Sequence, residues 1–204
     1  MAAGPKDPLV YVVDDQPSIC RGLTRLIGSV GFKVQTFPTA NDFLLASPHE
    51  GPCCLILDLY LPGINGLELQ ELLLEKQRLL PIIFITGFGE VSTSVRAMKS
   101  GAVDFLQKPI DDSQLLAAVQ TALATSKRER DQHQRVSEIR ERAKRLTNRE
   151  TQVFALVVTG LLNKQIAGEL GISEKTVKVH RARVMRKMEA GSVPDLVVFS
   201  SLMN

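Results

Sequence analysis

The first 124 residues alternate between two hydrophobic rhythms. Short strand-like runs occupy Leu9–Val13, Lys33–Phe37, Cys53–Asp58, 81–86 and 103–107. Between them, apolar residues recur three and four apart, as in Ile19, Leu23, Leu26, Ile27 and Val30, until Gly31 ends the series. That spacing lines one side of a helix, whereas an unbroken apolar run of this length fits a strand buried on both faces. Further helical segments follow Thr39, Asn65 and Glu90, and another begins near Asp112 with Leu115, Leu116, Val119 and Leu123. Strands alternating with helices imply right-handed crossovers and a parallel sheet covered on both sides. Five such repeats predict a small α/β doubly wound domain, in which sites form at the carboxyl ends of the strands.

The rhythm changes at residue 125. Residues 125–145 are highly charged and lack Gly and Pro, and Val136, Ile139, Ala143 and Leu146 form a heptad-like stripe. The stripe spans under two heptads, so it predicts a helical linker rather than a coiled coil stable by itself. It fits packing on a neighbouring domain equally well. Thr147-Asn148-Arg149-Glu150 is a capping box, and its helix runs through Val153, Phe154 and Val157 to Gly160. A second helix, Asn163–Leu170, ends at Gly171, and Ser173 caps a third, Glu174–Met188. Ser192-Val193-Pro194-Asp195 opens a fourth, with Pro194 suited to its first turn. The expected division is 8–124, a helical linker at 125–145, and an all-α four-helix unit at 146–204.

Composition narrows the class. At 44% hydrophobic and 23% charged residues the chain reads as an ordinary soluble globular protein. No apolar run approaches the roughly 18–20 residues of a membrane span, and MAAGPKDP does not read as a signal peptide. No membrane association and a cytoplasmic location are expected. Cys20, Cys53 and Cys54 form no metal-ligand spacing and are expected to be reduced, buried thiols. The net charge of +3 hides an asymmetry: residues 1–126 carry 9 basic against 13 acidic side chains, residues 127–146 carry 8 against 4, and residues 147–204 carry 8 against 5. An acidic first part and a basic second part point to two tasks, the basic end facing a polyanion. Ordinary solvation charge is the competing explanation.

Collecting the strand ends adds chemistry. Asp14 and Asp15 close the first strand, Asp58 the third, Thr86 the fourth and Lys108 the fifth. Each alone is compatible with turn or cap chemistry. Together, three acids at one sheet edge repel unless a cation lies between them, and hard oxygen ligands suit Mg²⁺. Lys108 adds positive charge and Thr86 a hydroxyl, a set suited to phosphoryl transfer onto a carboxylate.

With these residues in order, 8–124 resembles a response-regulator receiver domain, whose fold is flavodoxin-like with strand order 2-1-3-4-5. The resemblance implies that Asp58 is the phosphoacceptor for a sensor histidine kinase. Asp15, Asp58 and the backbone carbonyl of Tyr60 would hold Mg²⁺, with Asp14 acting through water. Thr86 and Phe105 would be coupled switch residues, Lys108 would contact the phosphoryl group, and Lys108-Pro109 would be cis. Gly87-Phe88-Gly89 departs from the family pattern, in which many relatives place a small residue and then His after the Thr. Haloacid-dehalogenase-type phosphatases also use a strand-end Asp with Mg²⁺, but require a second acid two positions later, where this chain has Tyr60. The acyl phosphate is therefore expected to persist as a signal, and the chain is not expected to be an enzyme.

The third helix of the last unit is two-faced. Advancing about 100° per residue, Val177, Val184 and Met188 form an apolar stripe with His180 at its edge. Lys175, Lys178, Val179, Ala182, Arg183 and Arg186 lie away from it. With the preceding helix and the tight Gly171-Ile172-Ser173 turn, this is a helix-turn-helix. LTNRE, NKQIAGELGISEKTVKVHR and VMRKM resemble the LuxR-type effector domain of NarL/FixJ response regulators, and the whole chain resembles the FixJ-like subgroup. Lys175, Lys178, Val179 and Ala182 are then expected at base edges, and Thr176, Arg183, Arg186 and Lys187 at phosphates. His180 is expected to pack at the edge of the core.

The combined expectation is a two-component transcription regulator, an activator, that dimerises on phosphorylation of Asp58 and binds double-stranded promoter DNA, with RNA polymerase as a further partner. The alternative is a constitutive DNA-binding regulator whose receiver serves only protein interaction.

Overall fold

The computed structural model describes residues 7–78, 80–87 and 91–203, and divides them between two compact units, 1–130 and 131–204. Phe88, Gly89 and Glu90 lie outside the described residues, as do residues 1–6, and the helix expected after Glu90 begins at Val91.

In the first unit the strands are β1 (Leu9–Val13), β2 (Lys33–Phe37), β3 (Cys53–Asp58), β4 (Ile82–Thr86) and β5 (Asp104–Gln107). They form one parallel sheet in the order β2-β1-β3-β4-β5. The helices are α1 (Pro17–Ser29), α2 (Ala40–Leu45), α3 (Gly66–Glu75), α4 (Val91–Lys99) and α5 (Asp112–Lys144). Pro81 lends its carbonyl to the Leu55 N–H at 2.9 Å but has no N–H of its own, so the fourth strand begins one residue later than expected.

Every residue of β3 is buried, and the period of two divides it between two cores. Cys53, Leu55 and Leu57 face Phe43, Leu69 and Ala97 of α2, α3 and α4. Cys54 and Ile56 face Leu23 and Ile27 of α1 and Leu115 and Val119 of α5. The adjacent cysteines thus lie on opposite faces and cannot pair; both are buried free thiols, whereas Cys20 is half-buried. Two covered faces are what an unbroken apolar strand demands.

The second unit holds α6 (Asn148–Val158), α7 (Asn163–Leu170), α8 (Glu174–Met188) and α9 (Val193–Met203). Thr147 caps α6 in a complete capping box with Glu150, and Ser173 accepts from the Thr176 N–H to cap α8. Gly171 ends α7 at φ 64°, and the Ile172 N–H closes back onto the Ala167 carbonyl at 3.0 Å. That left-handed residue allows the turn between α7 and α8 to be short. Val153, Phe154, Val157, Ile166, Val177, Val184, Met188 and Leu196 form the core.

The charged segment at 125–145 lies almost wholly within α5. Its beginning serves the first unit, where the buried Ser126 hydroxyl accepts from the Cys53 N–H at 3.1 Å and Arg130 donates to the Glu50 carbonyl. Its end serves the second unit, where Ile139 is buried in the core with Ala143 and Leu146 against it. Three members of the expected stripe are therefore spent inside a domain. Among the described residues, no helix is long and apolar enough to cross a membrane.

Candidate functional site

Parallel strands deliver their last residues to one edge, and here that edge is acidic. Carboxylate oxygens of Asp14, Asp15 and Asp58 lie within 4.8 Å of one another. Asp14 and Asp58 are buried, whereas Asp15 is exposed. Lys108 bridges the two buried acids, its Nζ donating to Asp14 Oδ2 at 2.8 Å and to Asp58 Oδ2 at 2.9 Å. The other oxygens are used as well. The Gln16 N–H donates to Asp14 Oδ1 at 2.8 Å, and the Tyr60 N–H to Asp58 Oδ1 at 3.3 Å.

One ammonium faces three carboxylates, so the cluster retains negative charge that a divalent cation is suited to neutralise. All donors are hard oxygens, which fits Mg²⁺. Burial pushes the Asp58 carboxyl up, Lys108's hydrogen bond and charge pull it down, and the charge of Asp14 adds to the rise; the net direction is upward. Burial pulls Lys108 down, but its bonds to Asp14 and Asp58 outweigh this and hold it above its ordinary value.

The remaining strand ends complete the edge. Thr86 is buried at the end of β4, and its carbonyl accepts from the Lys108 N–H at 2.7 Å. Phe105 is half-buried on β5, its ring centroid 6.2 Å from that of Phe84. The Lys108-Pro109 peptide is cis, as the resemblance implied. Tyr60 is exposed, and the position where a phosphatase of the haloacid-dehalogenase type carries its second acid holds this phenol.

A glycine with no place in the sequence reading sets the height of the site. Gly66 opens α3 directly under the backbone that follows Asp58. A Cβ built there would stand 2.5 Å from the Asp58 carbonyl oxygen and 3.0 Å from Leu59 Cα. Asn65-Gly66 signals only a helix start in sequence; the close approach belongs to the tertiary structure.

On the second unit, α8 exposes Lys175, Lys178, Val179, Ala182, Arg183 and Arg186 along one side, with Thr176 half-buried beside them. His180 lies at the core edge as expected, with its Nδ1 buried and without a hydrogen-bond partner among the described residues. Lys187 departs from the expected phosphate-facing set. Its Nζ donates to Glu150 Oε2 at 2.6 Å and to the Arg145 carbonyl at 3.0 Å, joining α8 to the capping box of α6 and the end of the charged helix. The basic face thus excludes Lys187, because a buried carboxylate has claimed its ammonium. Arg181 performs a similar internal task, donating to Asn163 Oδ1 at 2.9 Å to tie α8 to α7. Neither partnership had a sequence signal, since the partners lie 37 and 18 residues apart.

Residues 10–120 match the family described as "Response regulator receiver domain", and residues 144–200 match "Bacterial regulatory proteins, luxR family". The chain is 45% identical over 192 residues to Nodulation protein W of Bradyrhizobium diazoefficiens, covering 94% of this chain and 85% of that one. It is 42% identical over 193 residues to Transcriptional regulatory protein FixJ of Azorhizobium caulinodans, covering 95% and 92%. Among solved structures, Response Regulator StyR aligns over 96% of this chain and 99% of its own, at 43% identity and a TM-score of 0.87. Full-length FixJ from B. japonicum aligns over 98% of both chains at 38% identity and a TM-score of 0.58. With an acidic edge bridged by Lys108 in a 2-1-3-4-5 sheet, and a LuxR-type helix-turn-helix after it, this chain belongs to the NarL/FixJ-type response regulators.

Proposed function

We propose that Asp58 accepts a phosphoryl group from the phosphohistidine of a sensor histidine kinase, and that this event converts the chain into a DNA-binding homodimer. In this reading 8–124 is the receiver, 125–145 the linker and 146–204 the DNA-binding domain. The observation that carries it is the Lys108 bridge between Asp14 and Asp58, with Asp15 completing the cluster. An Asp58 oxygen forms the new bond to phosphorus as the bond to the donor imidazole breaks, and the freed nitrogen takes a proton. Lys108 stands where the added negative charge arises and can transfer its hydrogen bonds to phosphoryl oxygens. Asp15, Asp58 and the Tyr60 carbonyl would hold Mg²⁺, with Asp14 reaching it through water; when bound, the ion supplies charge neutralisation for the incoming phosphoryl group. Thr86 would turn its hydroxyl to the acyl phosphate, with Phe105 following.

The dimer would place two α8 helices in successive major grooves of promoter DNA in the cytoplasm, with activation through RNA polymerase. Lys175, Lys178, Val179 and Ala182 are suited to base edges, and Thr176, Arg183 and Arg186 to phosphates. With Mg²⁺ and a small acyl-phosphate donor, wild type should become labelled and dimerise, and Asp58→Asn should do neither. Equal labelling of the two proteins overturns the phosphoacceptor assignment. DNA affinity and oligomeric state unchanged by the donor would instead identify a constitutive regulator.

A further inference from the structure

The side of α3 away from the acidic edge carries a polar group that the proposed chemistry does not use. Gln70 is buried, yet its amide nitrogen reaches out of α3 to two backbone carbonyls at the end of α4. It donates to the Ser100 oxygen at 3.2 Å and to the Ala97 oxygen at 3.4 Å. Both acceptors are carbonyls, so the nitrogen end of the amide must face them. The last carbonyls of a helix have no partners within the helix. Here α3 supplies a donor to the Ser100 carbonyl and a second donor to that of Ala97, which also accepts from the Ala102 N–H at 3.1 Å.

What else seats α4 makes this bond consequential. Among the described side chains of α4, Ala97 alone is buried, and Val95 and Met98 are exposed. The described side chains of α4 thus offer little fully buried apolar area. Arg96 pairs with Glu71 of α3 at 2.6 Å, but both side chains are more than half exposed, where such a pair adds little. Among the described contacts, Gln70 supplies a buried polar tie between α3 and the end of α4. It holds the far end of α4, while the near end follows β4 and Thr86.

We infer that Gln70 is a positioning residue that latches the end of α4 to α3 in the unphosphorylated receiver, so that the resting-to-activated equilibrium is set partly from α3. This rests on the phosphoacceptor reading above. Phosphorylation at Asp58 acts on α4 from the Thr86 side, and Gln70 resists from the other. By reciprocity, whatever weakens the latch favours phosphorylation by the factor with which phosphorylation weakens the latch.

The test uses the full chain with Gln70→Met, which keeps length but cannot donate, and Gln70→Glu, which sets a carboxylate against both carbonyls. Amide exchange is followed at Ser100, Gly101 and Ala102, whose N–H groups close the end of α4 onto Arg96, Met98 and Ala97. Losing the latch should speed exchange at these three amides about tenfold, the scale of one net hydrogen bond, with the β3 amides unchanged. The extent of Asp58 labelling at equilibrium with a limiting small acyl phosphate and Mg²⁺ should rise about fivefold in Gln70→Met and more in Gln70→Glu. Unchanged exchange, or an equal rise in β3, overturns the latch. Local loosening with a wild-type extent of labelling overturns its coupling to Asp58. Absence of label in wild type overturns the phosphoacceptor reading and the coupling with it, while the exchange result still decides the latch.

Discussion

Lys187 and Arg186 are adjacent cations on α8 in different surroundings. Lys187 is spent on Glu150, whose side chain is 3% exposed, whereas Arg186 is exposed to solvent. Lys187→Ala strands a buried carboxylate and should destabilise the second unit by about 2 kcal/mol, toward the low end for a buried pair because the lysine is partly solvated. The salt slope of DNA binding by the remaining folded protein should stay as in wild type. Arg186→Ala should reverse the pattern. Urea unfolding should move by less than about 0.5 kcal/mol, while the salt slope flattens by about one per recognition helix. The Glu150 carboxyl itself is held at about 2, against an ordinary 4.5, by the Lys187 hydrogen bond first and then the Thr147 N–H, with burial opposing. Its folded value lies below its unfolded one, so its stabilisation is complete above 4.5 and fades as pH falls toward 2. Glu150→Gln should therefore be less stable than wild type near neutral pH, and the gap should close on acidification through that window; a pH-independent gap counts against the ion pair.

At the scale of elements, the tightest constraint is the crossing of α3 over the end of β3. Gly66 leaves no room for a methyl group, because the nearest atom is a backbone oxygen rather than a side chain able to swing away. Gly66→Ala should cost the first unit about 2 kcal/mol, as overpacking does, and should lower Asp58 labelling by shifting the main chain that aims its carboxylate. Chemical denaturation and labelling on the same variant check both halves; wild-type stability would mean that α3 can slide. The strand and helix pattern was legible because β3 is apolar at every position and the helix starts at Asn65, Thr147 and Ser173 carry their own caps. Periodicity and capping are local properties, written within a few residues. The contact of Gln70 with Ser100 and the Lys187–Glu150 pair join residues 30 and 37 apart, and the close approach at Gly66 depends on how α3 crosses the chain after β3, so no local pattern encodes them.

Across the whole molecule, charge is divided as the tasks are: the acidic first part carries the carboxylate cluster, and the basic exposed face of α8 lies in the second. If phosphorylation acts by pairing two chains on DNA, it should change how many phosphates are engaged as well as affinity. The slope of log affinity against log salt should steepen about twofold when wild type is treated with phosphodonor and Mg²⁺, and should not change for Asp58→Asn. Titrations at several salt concentrations decide this, and a parallel shift without steepening would exclude dimer formation as the source.

The sequence by itself determined the order of elements, the sheet class, the acids delivered to one strand edge and the two-faced α8. Each follows from spacing along the chain, which fixes the face or end of an element on which a residue falls. Only the tertiary structure decided which charges are available. It set Lys108 between Asp14 and Asp58, withdrew Lys187 from the basic face to meet Glu150, and turned Gln70 toward α4. A buried polar group must find a partner wherever the fold brings one within about 3 Å, and that distance is settled by packing, not by position in the chain.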